Sequence, residues 1–127
     1  GLELVINSSY RSYQDQEKIC NTYKDLYGEG YVSKYVALPG FSEHQTGLAF
    51  DIGSANSQVF AESKEYEWMK DNAYKYGFIL RFTKANAYIT GFRSEPWHYR
   101  YVGKKIAKYI YENDISFEEY YAEFLDN

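Results

Sequence analysis

Five short apolar stretches of the kind found in strands lie between residues 2 and 102. They are LELVI at 2–6, LAFDI at 48–52, FILRF at 78–82, AYITGF at 87–92 and WHYRYV at 97–102. The polar TKAN between the third and fourth stretches predicts a hairpin turn. We therefore expect a small sheet whose strands are mostly antiparallel.

Helical periodicity fills much of the remaining sequence. Ser12, with Asp15 three residues later, indicates a helix that begins there and ends at Gly28. Further helices are expected at about 62–76, 104–112 and 117–125, the last preceded by a second capping pattern of Ser116 and Glu119. The segment 28–41, with its GEG and LPG, is predicted to be a loop.

These elements predict an α+β fold with a small central antiparallel sheet flanked by helices. The 127 residues suit one domain over 1–127, and the sequence has no internal repeat. The longest apolar runs are far shorter than the roughly 20 residues needed to cross a bilayer. The single cysteine, Cys20, has no internal partner and leaves the redox compartment open.

Composition narrows the range of partners. The net charge of −4, without a basic tract, disfavours nucleic acid. The 16 tyrosines suit polar ligands such as sugars and peptides, although many tyrosine rings serve only in packing. The chain starts at Gly1 with a strand-like run and no Met, so we expect an excised catalytic domain with a secretion signal or anchor upstream.

Both histidines of the chain lie in motifs with acidic partners. FSEHQTGLAFD contains His44 and Asp51, which a turn at Gly47 can bring together, and His98 is the natural third member. Three protein ligands with a fourth position left for water are typical of catalytic zinc. On spacing alone, a zinc site and ordinary structural histidines are about equally supported.

Glu95 precedes His98 by three residues, with Pro96 between them. In a straight strand these two side chains would point to opposite faces, so they can share a site only if the chain bends at Pro96. A carboxylate in that place can take a proton from water and pass it to a leaving amine.

The joint pattern S-E-H-Q-x-G-x-A-x-D followed by E-P-W-H-x-R-Y-V-G resembles the VanY-type D-alanyl-D-alanine carboxypeptidases. These belong to a zinc-peptidase group with the VanX dipeptidases, the VanXY enzymes and bacterial L,D-carboxypeptidases. SSYRSYQDQ at 8–16 and YGFILRF are also similar to that family. The resemblance runs from about Leu4 to Gly103.

The resemblance implies a cleft on the sheet with one zinc ion per chain, bound by His44, Asp51 and His98. It implies Glu95 as general base and acid, and Arg11 as the contact to the substrate carbonyl or terminal carboxylate. Without the motif, a surface ion pair would be the simpler interpretation of Arg11.

The same resemblance implies that Gln16 and Ser42 hydrogen-bond the peptide end and that Trp97 forms a wall of the pocket. The alternatives are a solvated helix residue, a turn-forming residue and a buried core tryptophan, respectively. Three residues depart from common family patterns: Phe82 and Ser94, where relatives often have Tyr, and Phe50, where they often have an aliphatic residue.

The resulting hypothesis is a monomeric zinc D,D-carboxypeptidase that removes the terminal D-Ala from peptidoglycan stem peptides. In glycopeptide-resistant bacteria such an activity removes the D-Ala-D-Ala target of the antibiotic. Enzymatic alternatives are an L,D-carboxypeptidase acting on tetrapeptides and a D,D-dipeptidase; the short segment 53–62 favours an open cleft over a capped dipeptidase pocket. Extracytoplasmic action is expected, or cytoplasmic action if the chain is VanXY-like.

Two non-enzymatic alternatives remain open on the sequence. The first is a zinc-containing module that binds the cell wall, which Glu95 argues against because a purely structural site needs no such carboxylate. The second is a tyrosine-rich adhesion domain without metal.

Overall fold

A four-stranded antiparallel sheet forms the centre of the computed structural model, which describes residues 1–125. The strand order is β1-β2-β4-β3. The strands are β1 Leu4–Ser8, β2 Ala49–Ser54, β3 Phe78–Leu80 and β4 His98–Tyr101. The predicted antiparallel sheet is confirmed.

Helices surround the sheet, so the predicted α+β class is confirmed. The α-helices are α1 Tyr13–Tyr27, α2 Glu29–Tyr35, α3 Lys64–Asn72, α4 Ala87–Thr90, α5 Lys104–Asn113 and α6 Phe117–Phe124. Short 3₁₀ helices lie at Glu43–Thr46, Phe60–Glu62 and Ala73–Tyr76. Within residues 1–125, no helix has both the length and the apolar character required to cross a membrane.

Both predicted capping boxes are present. The Ser12 hydroxyl accepts from the Asp15 amide at 3.0 Å, and the Asp15 carboxylate accepts from the Ser12 amide. Ser116 and Glu119 make the same reciprocal pair at the start of α6. Because each pair satisfies two amides that the first helical turn leaves free, these local residues fix where the two helices begin.

The segment 28–41 is not all loop, as its glycines had suggested, because α2 follows α1 after the single residue Gly28. Four tyrosines, one from each of successive helical turns, stack across the two helices with ring centroids 4.8–5.9 Å apart. They are Tyr23, Tyr27, Tyr31 and Tyr35. This packing outweighs the low helical propensity of glycine in the GEG sequence.

The predicted strand at 87–92 is wrong, and with it the hairpin around TKAN. The Thr83 amide donates to the Asn86 side chain at 2.8 Å, and the Asn86 amide donates to the Thr83 hydroxyl at 3.1 Å. This reciprocal turn leads directly into α4, which ends at Gly91 in the left-handed region. Local side-chain bonding therefore overrides the β propensity of AYIT, and β3 pairs with β4 instead.

The sheet packs its core against α3 on one face. Ile52 of β2 and Tyr99 of β4 are completely buried there, together with Phe60, Met69 and Ala73. The neighbouring positions of the same strands point to the opposite face, because successive side chains of a strand alternate. That opposite face is where the polar residues of the two histidine-containing motifs meet.

We predict that Gly77→Ala destabilises the protein more than Gly91→Ala. Both glycines have positive φ, at 93° and 78°. Alanine in this left-handed conformation should lower the free energy of unfolding by about 1–2 kcal/mol at either position. At Gly77 the new Cβ would also lie 2.7 Å from the Tyr101 ring and 3.2 Å from backbone atoms, whereas at Gly91 no neighbouring atom among residues 1–125 lies within 4 Å.

The added overlap should cost about 1–3 kcal/mol more in the free energy of unfolding, measured by urea denaturation of the two variants side by side. Equal destabilisation of the two variants would show that close packing around Gly77 adds no cost to the substitution.

Candidate metal centre and catalytic cleft

The pairing of β2 with β4 brings Asp51 directly opposite His98. The two residues occupy facing positions in an antiparallel ladder, so their side chains leave the sheet on the same side. The His98 Nδ1 atom lies 2.9 Å from Asp51 Oδ1. The sheet register alone thus unites residues that are 47 positions apart in the sequence.

His44 reaches the same place from the short 3₁₀ helix before β2. Gly47, at φ 74°, ends that helix and turns the chain into the strand, as the sequence predicted. The His44 Nδ1–H donates to the carbonyl of Ser9 at 2.7 Å, which leaves Nε2 directed at Asp51 Oδ1, 3.2 Å away. The backbone thereby selects the tautomer of His44 and the nitrogen that faces the cleft.

These three residues form a donor set suited to a metal ion. One atom each from His44, Asp51 and His98 lies within 4.8 Å of the other two. Both histidines are buried, and Asp51 is partly buried. Two imidazole nitrogens and one carboxylate oxygen, with room for a fourth ligand from the cleft, match the chemistry of catalytic zinc. The residues present therefore fit the metal that the sequence motif implies.

Strong mutual interactions set the protonation of this cluster. Burial would raise the pKa of Asp51, but hydrogen bonds from His44 and His98 hold it at about 2. Burial would lower the pKa of His98, but hydrogen bonds to Asp51 and Glu43 raise it to about 9. At neutral pH a metal ion that takes His98 Nδ1 must therefore displace a proton.

Glu95 shares the site because the chain bends where the sequence predicted. A turn at Pro96 and Trp97 is closed by the His98 amide, which donates to the Glu95 carbonyl at 3.1 Å. The Glu95 carboxylate consequently lies 3.9 Å from His98 Nδ1. Burial raises the pKa of Glu95, in contrast to the lowered pKa of Asp51. Asp51 is thus held ionised beside the histidines, whereas the raised pKa of Glu95 makes its carboxylate the better proton acceptor of the two.

Arg11 is fixed at the edge of the same cluster. Its guanidinium donates to Gln16 Oε1 at 3.0 Å and to the Ser8 hydroxyl at 2.8 Å, and lies 3.9 Å from Asp51 Oδ2. Gln16 is 2% exposed and donates its amide to the carbonyl of Ala37. Gln16 is therefore not a solvated helix residue, and it holds Arg11 in place; its contact with a peptide end stays a prediction.

All eight predicted site residues line one cleft of about 410 Å³. Ser42 also caps the 3₁₀ helix of His44, accepting from the His44 amide at 3.3 Å, so its predicted role as a turn residue is present. Trp97 is 36% exposed, which excludes the alternative of a buried core tryptophan. Whether Ser42 and Trp97 also contact a ligand stays a prediction.

Sequence reasoning missed the contacts that His98 makes on its other sides. The His98 Nε2 atom lies 2.9 Å from Glu43 Oε2, and Glu43 also accepts from Arg81 and Arg100. Phe82 is buried and stacks on the His98 ring, with centroids 4.9 Å apart. Glu43 stands beside His44 in the motif, but only the fold shows that its carboxylate reaches the other histidine.

Sequence comparison identifies a family and several relatives for the chain. A profile of the VanY family, described as D-alanyl-D-alanine carboxypeptidase, matches residues 1–104. YodJ of Bacillus subtilis (strain 168), provisionally named a carboxypeptidase, is 48% identical over 95% of the chain and 46% of its own length. A D-alanyl-D-alanine carboxypeptidase of Enterococcus faecalis (strain ATCC 700802 / V583) is 39% identical over 94% of the chain and 48% of its own length. The chain spans about half the length of these curated relatives.

Solved structures show the same fold. The LdcB LD-carboxypeptidase is 48% identical, with a TM-score of 0.88 over 96% of this chain and 59% of that one. The vancomycin-resistance D,D-pentapeptidase VanY, crystallised as a variant in complex with Zn(II), is 35% identical, with a TM-score of 0.83 over 94% of this chain and 72% of that one.

We predict that Asp51→Ala loses zinc while Asp71→Ala retains it. Asp51 supplies the oxygen that both histidines face, whereas Asp71 is an exposed residue of α3. Removing one of three protein ligands leaves a site that holds zinc poorly. Metal analysis after dialysis should show about one zinc per chain for the wild type and the Asp71 variant, and little for the Asp51 variant.

His44→Ala should behave like Asp51→Ala in the same measurement. Full zinc content in either variant would mean that the metal binds elsewhere.

Proposed function

The chain belongs to the VanY family of D-alanyl-D-alanine carboxypeptidases, and from this premise we propose that it is a zinc-dependent D,D-carboxypeptidase. Its substrate would be peptidoglycan stem peptides that end in D-Ala-D-Ala, from which it removes the last residue. The observation that carries the proposal is the convergence of His44, Asp51 and His98 beside the partly buried carboxylate of Glu95.

The zinc would be held by His44 Nε2, Asp51 Oδ1 and His98 Nδ1, one ion per chain. When bound in such a site, zinc polarises a carbonyl group and lowers the pKa of water towards about 7. The Zn(II) complex of the related VanY enzyme supports the choice of metal.

Glu95 is the proton carrier in this proposal. As water adds to the scissile carbonyl carbon, the Glu95 carboxylate accepts a proton from the water. When the carbon–nitrogen bond breaks, Glu95 gives that proton to the leaving amine of D-Ala. The burial that raises the pKa of Glu95 suits this exchange, because an acid–base group works best with a pKa near the operating pH.

Arg11 supplies a fixed positive charge on the wall of the cleft. Its two bonds to Ser8 and Gln16 hold the planar guanidinium before any substrate arrives. A guanidinium in that position can stabilise the negative charge that develops on the carbonyl oxygen, or grip the terminal carboxylate. Both roles were expected from the sequence, and both remain within the proposal.

The shape of the molecule favours a long peptide over a free dipeptide. Trp97 lines the catalytic cleft and also a second groove of about 700 Å³, which runs along residues 53–61 beside β1. A stem peptide whose end lies among the site residues could continue past Trp97 into this groove. A dipeptide would leave it unused.

An L,D-carboxypeptidase acting on tetrapeptide stems is the second candidate. It is favoured by the 48% identity and the TM-score of 0.88 with the LdcB LD-carboxypeptidase. Because D,D and L,D activities would use the same donors and the same proton carrier, they differ only in how the residue before the scissile bond is accommodated. Either activity would act on cell-wall peptides outside the membrane, and D,D activity would also remove the target of glycopeptide antibiotics.

We predict that Glu95→Ala keeps its zinc but loses turnover. Glu95 is outside the donor set, so metal content should equal that of the wild type, whereas kcat should fall by about 10²–10⁴ without the proton carrier. Glu62→Ala, at an exposed position, is the matched control and should keep both zinc and kcat. Wild-type turnover in the Glu95 variant would exclude Glu95 as the base.

Product analysis tests the substrate. The zinc-loaded protein is incubated separately with synthetic stem pentapeptide, stem tetrapeptide and free D-Ala-D-Ala, and the products are identified by mass spectrometry. We expect the pentapeptide to release one D-Ala and yield tetrapeptide at the highest kcat/KM.

Preferred cleavage of the tetrapeptide would establish the L,D activity instead, and preferred cleavage of D-Ala-D-Ala a dipeptidase. If no D-Ala is released from any of the three, the proposed function is wrong.

A further inference from the structure

The second nitrogen of His98 is held by a carboxylate that takes no part in the proposed reaction. With Nδ1 facing Asp51, Nε2 lies 2.9 Å from Glu43 Oε2. A histidine that gives one nitrogen to a metal commonly donates the other N–H to a carboxylate, which fixes both the tautomer and the ring orientation. Phe82 stacks against the same ring, so two neighbours outside the metal donor set fix the orientation of His98.

Glu43 is in turn held by two arginines. Its Oε1 atom accepts from Arg81 Nε at 2.6 Å and from Arg100 Nη1 at 3.1 Å, which leaves Oε2 for His98. The three side chains are largely buried. Because the arginines hold Oε1 and His98 contacts Oε2, the position of the arginines determines where Oε2 points.

The outer edge of Arg81 is bound by helix α6. Arg81 Nη1 and Nη2 donate to the two oxygens of Glu118, each at 2.8 Å, in a bidentate pair. Phe117, the first residue of α6, lies against both guanidinium groups, at 5.4 Å from Arg81 and 5.5 Å from Arg100. The region that matches the family profile ends at residue 104, so this contact comes from a part of the chain beyond the match.

We propose that Glu118 is a positioning residue for the metal centre, acting through Arg81 and Glu43 on the ring of His98. This inference rests on the proposed metal site. Without Glu118, a mostly buried guanidinium would lose two charge-assisted hydrogen bonds and would have to seek new partners. Arg81 already donates to Glu43 through Nε, and a shift of the freed guanidinium would move the Glu43 carboxylate whose other oxygen faces His98. Helix α6 therefore helps to hold the side chains that orient His98.

A purely structural role makes a different prediction. If the Arg81–Glu118 pair only attaches α6 to the rest of the protein, its loss lowers the unfolding temperature without altering zinc binding. The two roles are separated by measuring zinc affinity, through competition with a chromophoric chelator, on Glu43→Gln, Glu118→Gln and Glu123→Gln. Glu123 is exposed on the same helix, so its variant makes the same change in charge.

We expect zinc to bind Glu43→Gln about 10- to 100-fold more weakly than wild type. Glu118→Gln, one contact further from the metal, should weaken it about three- to tenfold, and Glu123→Gln should match wild type. The double variant of Glu43 and Glu118 should bind no more weakly than Glu43→Gln alone, because the second change acts through the first. The visible spectrum of the cobalt-substituted protein should also change in Glu118→Gln.

Wild-type zinc affinity and an unchanged cobalt spectrum in Glu118→Gln would overturn the inference, and so would additive losses in the double variant. Should Glu118→Gln fail to fold, Glu118→Asp, which keeps the charge but shortens the reach, is judged by the same criteria. If the wild type itself binds no zinc at His44, Asp51 and His98, the proposed function fails first, and that result is distinct from a failure of the α6 inference alone.

Discussion

The pairing of Asp51 with His98 across β2 and β4 is the constraint on which the rest of the site depends. A shift of one residue in this register would send one of the two side chains into the core that packs on α3. Tyr99 and Ile52, completely buried on that core face, make such a shift costly, because they would have to exchange places with polar groups. Hydrophobic burial on one face of the sheet thus holds the polar residues together on the other.

The cleft brings several carboxylates together, and nearby histidines and an arginine compensate the negative charge of two of them. Glu43 and Asp51 are partly buried carboxylates, and burial alone would raise the pKa of each. Hydrogen bonds from His44 and His98 hold the pKa of Asp51 at about 2. A hydrogen bond from His98 and the charge of Arg81 hold the pKa of Glu43 at about 2. Within the described residues 1–125 the Glu95 carboxylate has no comparable hydrogen bond, and burial raises its pKa. Three carboxylates in one cleft therefore have different tasks because their neighbours differ.

The sequence by itself determined the local features and the chemical identity of the site. Capping residues such as Ser12 and Ser116 fixed helix starts, because their hydroxyls bond amides only three positions away. The bend at Pro96 could also be predicted, because Glu95 and His98 can share one site only if the chain bends between them. Spacing left a metal site and structural histidines equally supported, and only the combination of motifs, through its resemblance to a family, favoured the metal.

Tertiary structure decided what depends on distant partners. Two other differences between prediction and structure had local causes: the Thr83–Asn86 turn leads the strand-like stretch at 87–92 into α4, and tyrosines four residues apart stack across the glycine-containing α2. The role of Glu43 required the folded chain, since its partners His98 and Arg81 lie 55 and 38 residues away. A carboxylate in a loop has no periodicity or spacing that identifies its partner. Only the position of the loop beside the sheet shows which histidine it supports.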